Sequence, residues 1–264
     1  LGPVTAAENQ RHPPEPPDTS SPRATLKTFL ETMDKAYLKQ LELRPRDKAV
    51  VDLLSQAARC LDLSKVVPRV SKEIGLESAL LLKEVLDRIE VPPYGEIPGA
   101  EEVNAKGLSR WRLPHTEIFI EKAKEGARQD DFLFTAETVG RVREFYERVE
   151  HLPYKPGASV KAYRDYISSP GSLIPYRLIQ NLPDWMEVII YDQALWQWIC
   201  LVLLLLLASL TLRLTYRMGR SRSERQDEST PGWSWSRLLF PLSGMLVALL
   251  VGHLINEQIN ITGF

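Results

Sequence analysis

From Ala194 to Leu212 the chain reads Ala-Leu-Trp-Gln-Trp-Ile-Cys-Leu-Val-Leu-Leu-Leu-Leu-Leu-Ala-Ser-Leu-Thr-Leu, without one charged side chain. At ~1.5 Å per residue this run makes a helix of roughly 29 Å, close to the ~30 Å hydrocarbon core of a bilayer. The pattern predicts a transmembrane helix over 194–212. Its leucines contribute about −0.5 kcal/mol each on the insertion scale, so eight or so give roughly −4 kcal/mol. A second apolar run predicts another span over 238–255, weaker because it carries Pro241, Ser243 and His253. Gly244, Ala248 and Gly252 recur every four residues within it, a spacing that forms a helix-packing seam of small residues. Trp185, Trp196, Trp198, Tyr216, Trp233 and Trp235 flank the two runs, as amphipathic rings do at membrane interfaces.

Before residue 190 the pattern is that of a soluble domain. Residues 1–20 hold Pro3, Pro13, Pro14, Pro16 and Pro17 among polar neighbours and predict a disordered leader. Ser21-Pro22 reads as an N-cap and first helical position, and Leu26, Phe29, Leu30, Met33, Tyr37 and Leu41 follow at helical spacing. A second helix is predicted over roughly 47–61. A third starts near Ser64, is interrupted at Gly75, and carries its apolar face to Glu90, where Pro92 and Pro93 stop it. Residues 91–114 read as loop. The period then changes: Thr116–Lys122 and Asp131–Thr135 alternate around a polar turn containing Gly126, which predicts one small β-hairpin near 116–135. Val139, Val142, Phe145, Tyr146 and Val149 restore helical spacing. The fold class is therefore mainly α: an exported helical domain over 21–175 with one hairpin, a juxtamembrane segment over 176–193, and two transmembrane helices.

Charge sets the direction. The segment 213–237 between the apolar runs holds Arg213, Arg217, Arg220, Arg222, Arg225 and Arg237. No Lys or Arg lies between Leu178 and Leu212, and none follows Arg237. By the positive-inside rule this Arg-rich segment is a cytoplasmic loop, and both the N-terminal domain and the end at 256–264 lie outside. Export of the N-terminal part implies a removed signal peptide, and the chain reads as cut at both ends.

Composition narrows the function. Charged residues make up 25% and net charge is −1, which gives no case for nucleic acid. Cys60 and Cys200 fall in the outer domain and the first span, so they form no disulfide framework. So few cysteines in an exported domain suit a bacterial periplasm. His12, His115, His151 and His253 match no zinc spacing. No nucleophile elbow, Walker loop or dinucleotide fingerprint occurs, so no catalytic residue, metal or cofactor is assigned. His253 is the polar group placed deepest in a predicted span; Asn256 and Glu257 follow within a turn. Glu137, Glu144 and Glu147 with Arg141, Arg143 and Arg148 predict a solvated charged helix face, with Glu144–Arg148 as an i,i+4 pair.

The stretches Ser21-Pro-Arg-Ala-Thr-Leu-Lys-Thr-Phe-Leu, Leu113-Pro-His-Thr-Glu-Ile, Phe132-Leu-Phe-Thr-Ala-Glu-Thr-Val, Phe145-Tyr-Glu-Arg-Val and Ser169-Pro-Gly-Ser-Leu-Ile-Pro carry a resemblance. From about residue 20 to Phe264 the chain resembles the N-terminal region of large multi-span members of the small-conductance mechanosensitive channel family. The resemblance implies a homo-oligomeric channel of the bacterial inner membrane, opened by membrane tension in osmotic stress, with the lipid bilayer as partner. The pore helix and cytoplasmic vestibule of that family have no counterpart in these residues, so no pore or gate residue is carried over. The residues themselves equally fit a membrane-anchored periplasmic binding or adaptor protein without a pore.

Overall fold

A computed structural model describes residues 16–125, 128–169, 181–191, 193–223 and 235–255. The chain forms two compact units, Leu1–Tyr163 and Arg164–Phe264. The first closes at Tyr163, short of the boundary expected at 175. Most of the predicted leader, the turn glycine Gly126, the stretch 170–180, Trp233, Arg225 and the end at 256–264 lie outside the described residues.

The first unit is mainly helical around a small sheet. Helix α1 (Pro22–Glu42) starts as the sequence predicts: the Ser21 hydroxyl accepts from the Ala24 N–H at 3.2 Å, with Pro22 at the first position. It buries Leu26, Phe29 and Met33, whereas Leu41 is 64% exposed and leaves the predicted stripe. Helix α2 (Lys48–Ala58) is capped by Asp47 and turns Val50, Leu54 and Ala57 inward. Helix α3 (Ser71–Leu86) follows a short 3-10 turn and runs unbroken through Gly75, contrary to the predicted interruption. Gly75 is buried there; a Cβ on it would lie 3.0 Å from Leu63 Cδ1 and 3.4 Å from the Ala58 methyl. The glycine is a contact point between helices and not a break. From Gly75 to Leu86 only Glu77 escapes full burial, as expected of the central helix of a bundle.

The 91–114 region is more ordered than a loop. It holds α4 (Ala100–Lys106), which ends at Gly107 in the left-handed conformation, φ +60°. It also holds β1 (Arg110–Arg112). β2 (Phe119–Lys122) and β3 (Phe132–Phe134) form the predicted hairpin, and β1 joins its free edge to make an antiparallel sheet in the order β1-β2-β3. Ile120 sits opposite both Trp111 and Phe134. The other edge is also used: the Phe132 N–H donates to the Thr19 carbonyl at 2.8 Å and Phe134 pairs with the Cys60–Asp62 strand-like turn. Pro17 and Thr19 are buried, so the last residues of the predicted leader belong to the fold. Phe29 meets Phe134 edge to face at 5.3 Å, which joins α1 to the sheet. Helix α5 (Ala136–Val149), capped by Thr135, adds Val139, Val142 and Phe145 to the core.

The second unit begins within α6 (Ala162–Ile167). It continues with a 3-10 turn at Asp184–Glu187 and a two-residue hairpin, β4 (Ile189–Ile190) with β5 (Gln193–Ala194). Helix α7 (Leu195–Ser223) and helix α8 (Trp235–His253) follow and pack on each other. Among the described residues, one helix is long and apolar enough to cross a membrane, Leu195–Arg217; α8 offers only the shorter apolar stretch Gly244–His253. The helix does not stop at 212. It carries Arg213, Arg217, Arg220 and Arg222, which are therefore helical residues and not part of a loop, and Arg237 lies in the first turn of α8.

Candidate functional site

The C-terminal end of α3 buries four charges. Lys83 and Asp87, and Glu84 and Arg88, are two staggered i,i+4 pairs on adjacent faces of one turn. Lys83 Nζ lies 2.5 Å from Asp87 Oδ1 and 2.9 Å from Asp34 Oδ1 of α1, and its side chain is 4% exposed. Arg88 Nη1 lies 2.5 Å from Glu84 Oε2, with side chains 5% and 2% exposed. Charges this deep persist when paired; the one gap here is the Arg88 Nε, which is buried without a hydrogen-bond partner.

The remaining bonds come from the segment 154–163, which leads out of the first unit. The Tyr154 hydroxyl donates to Glu84 Oε2 at 2.7 Å, and the Tyr163 N–H donates to Glu84 Oε1 at 3.1 Å. The Ser159 N–H donates to Asp87 Oδ2 at 3.0 Å. The Lys155 N–H donates to the Asp87 carbonyl at 3.0 Å, and its ammonium donates to the Ile89 carbonyl. The Arg88 guanidinium stacks 3.8 Å from the Tyr154 ring centre. Lys161 takes an unusual φ of +61° while its N–H donates to the Tyr154 hydroxyl at 2.9 Å. Burial, followed by the bond to Glu84, pushes the Tyr154 phenol up to about 12. Burial works against the charge on Arg88, but the hydrogen bond and attraction of Glu84 outweigh it and raise its pKa.

Each carboxylate oxygen of Glu84 and Asp87 is thus occupied by a donor of the protein itself. Such an arrangement holds a segment in place. The four charges and Tyr154 form a clasp on the last stretch of the first unit, residues 154–163.

A second charge network is exposed. Arg141 pairs with Glu144 at 2.9 Å and with Glu117 at 2.5 Å, and Arg148 bridges Glu117 at 3.1 Å and Glu144. These bonds hold the Glu117 and Glu144 carboxyls below their ordinary range. The predicted Glu144–Arg148 pair is present, and Arg143, about as exposed as Arg141, pairs with Glu77 of α3. An open cleft of about 370 Å³ beside β2 is lined by Arg110, Glu121, Lys122, Lys124 and Glu137, mostly paired with one another. Among the described residues no group of three His, Cys, Asp or Glu is placed to hold a metal. Cys60 and Cys200 are both free.

In the second unit the predicted interface residues separate. Trp185 and Tyr216 are exposed, and the half-buried Trp198 donates to the Ile190 carbonyl at 3.0 Å. Trp196 is 2% exposed, so its ring is withdrawn from any headgroup surface and is corrected from anchor to packing residue. Gln197, absent from the sequence reading, is fully buried; its Oε1 accepts from the Ala194 N–H at 2.7 Å, closing the first turn of α7. Of the predicted seam, Gly244 faces α7, where an added Cβ would meet Leu212 Cδ2 at 4.0 Å. Ala248 and Gly252 are exposed. His253 is also exposed. Trp235 sits in the first turn of α8.

The chain matches no family model, no curated protein and no solved structure.

Proposed function

We propose that this chain is the N-terminal sensor and anchor portion of a homo-oligomeric ion channel gated by membrane tension. Its clasped helical domain lies in the periplasm, and α7 and α8 lie in the bacterial inner membrane. The observation that carries the membrane part is the largely exposed helix Leu195–Arg217, uncharged as far as Leu212 and carrying arginines from Arg213 onward. The mechanosensitive part rests on the resemblance of the five quoted stretches. Tension favours whichever state occupies more membrane area, so helices in lipid can bias a closed–open equilibrium. Of the small residues of the seam, Gly244 faces α7, and the exposed Ala248 and Gly252 would pack towards further helices.

The test is patch recording from spheroplasts that lack other mechanosensitive channels and express the native gene. Currents that rise with suction, with a threshold moved by Gly244→Leu or Gly252→Leu, are expected. Full-length protein in the membrane without tension-gated current would overturn the channel reading in favour of a membrane-anchored periplasmic adaptor.

A further inference from the structure

The helix that begins as an apolar span ends as a basic one. α7 runs unbroken from Leu195 to Ser223 and contains no Asp or Glu. At ~1.5 Å per residue, Arg213 stands about 27 Å, Arg217 about 33 Å and Arg220 about 38 Å along the axis from Leu195. A hydrocarbon core of ~30 Å therefore ends among these three positions. At ~100° per residue, the backbone positions of Arg217 and Arg220 fall about 40° and 20° to either side of Arg213, while Arg222 falls about 180° away. Arg213 and Arg217 are exposed, and among the described residues neither has a carboxylate partner. Arg141 and Arg148 of the outer domain, by contrast, each grip one. Tyr216, 54% exposed, lies between them along the chain.

A guanidinium binds phosphate through two parallel N–H bonds, and basic residues beside a membrane attract acidic lipids. We propose that Arg213, Arg217 and Arg220 form a stripe that binds the phosphate of an anionic phospholipid in the leaflet remote from the outer domain. The proposal rests on the reading of α7 as a span. Zwitterionic lipid offers the same phosphate but cancels its charge, so the stripe discriminates by net headgroup charge. Glu224, Asp227 and Glu228 follow in sequence and are the competing anions.

The experiment uses the full chain in nanodiscs of phosphatidylcholine, alone or with phosphatidylglycerol, and native mass spectrometry to count the lipid kept on release. Preferential retention of phosphatidylglycerol is expected. R213Q, R217Q and R220Q should each weaken it about fivefold, and R222Q should leave it unchanged. Equal retention of the two lipids, or an equal loss in R222Q, would overturn the stripe, the first pointing to neutralisation by Glu224, Asp227 and Glu228. Alkaline carbonate extraction of native membranes separates the two levels of failure. A chain that stays in the pellet without lipid preference refutes only the stripe; one that is extracted refutes the span beneath it.

Discussion

Replacing Glu84 by alanine is expected to destabilise the outer domain by about 3–5 kcal/mol, the usual cost of stranding one member of a buried ion pair. The residue left behind is Arg88, whose side chain is only 5% exposed and which would keep just the 2.7 Å bond to the residue-84 carbonyl. The Tyr154 hydroxyl and the Tyr163 N–H lose their acceptor as well, at about 1–3 kcal/mol for each group left unpaired. These losses overlap and do not add, so about 3 kcal/mol is the lower end. For a domain of this size that corresponds to a fall in melting temperature of roughly 10 °C. Near-UV circular dichroism of the full chain in nanodiscs would follow the transition. Amide exchange supplies the local signature: the Tyr163 N–H should exchange faster in E84A, while the Ser159 N–H, held by Asp87, changes less. Glu144→Ala is the control, because its partners are exposed and such pairs contribute little to stability. If E84A melted within the range of E144A, the clasp would be only a surface charge cluster and the reasoning would be wrong.

Other expectations are independent of the clasp. Burial pushes the Cys60 thiol up to about 12, against the pull of Arg128 and Arg59, so in Cys200→Ala protein at pH 8 a maleimide should label Cys60 only after unfolding. Gly140 sits in mid-helix with nothing near its Cβ direction, and Gly140→Ala should stabilise by about 0.5–1 kcal/mol. Gly75→Val should cost about 1–3 kcal/mol by overpacking against Leu63 and Ala58; denaturant midpoints decide both. Arg141, through its hydrogen bond, depresses the Glu144 carboxyl below its ordinary 4.5. Its stabilising effect is therefore complete above pH 4.5 and lost as pH falls through the lowered value. Melting points of wild type and Glu144→Gln should differ at pH 6 and converge well below pH 4.5.

The helices with a clear apolar stripe were legible in sequence, as was the Ser21-Pro22 start, because burial of one face writes a period of 3.6 into the chain. β1 was not legible: Arg110-Trp111-Arg112 is three residues long, and its strand character comes from pairing with β2. α4 was hidden between Gly99 and Gly107, where turn residues outweighed seven helical ones. Gly75 misled because propensity scores a glycine as a weak point, whereas close packing against Leu63 demands one. The clasp was the largest omission. Lys83, Glu84, Asp87 and Arg88 have no role assigned from sequence, since the segment that buries them arrives some seventy residues later. The one local signal was two i,i+4 ion pairs set into an otherwise leucine-rich turn. The helical continuation past Leu212 was missed because hydropathy marks where a span becomes polar, not where its hydrogen bonding ends.

The clasp takes hold of residues 154–163 mainly by their backbone. Glu84 and Asp87 receive the N–H groups of Tyr163 and Ser159, and every amino acid but one supplies that group. The bond itself is therefore indifferent to the side chain, although Tyr163 is buried and meets Tyr146 edge to face at 5.7 Å, so its ring serves packing and not attachment to Glu84. Proline is the exception at both positions. The durable information lies in four charges at the end of one helix and in a single phenol of the segment they hold, with the rest of the grip written in backbone that any residue but proline supplies.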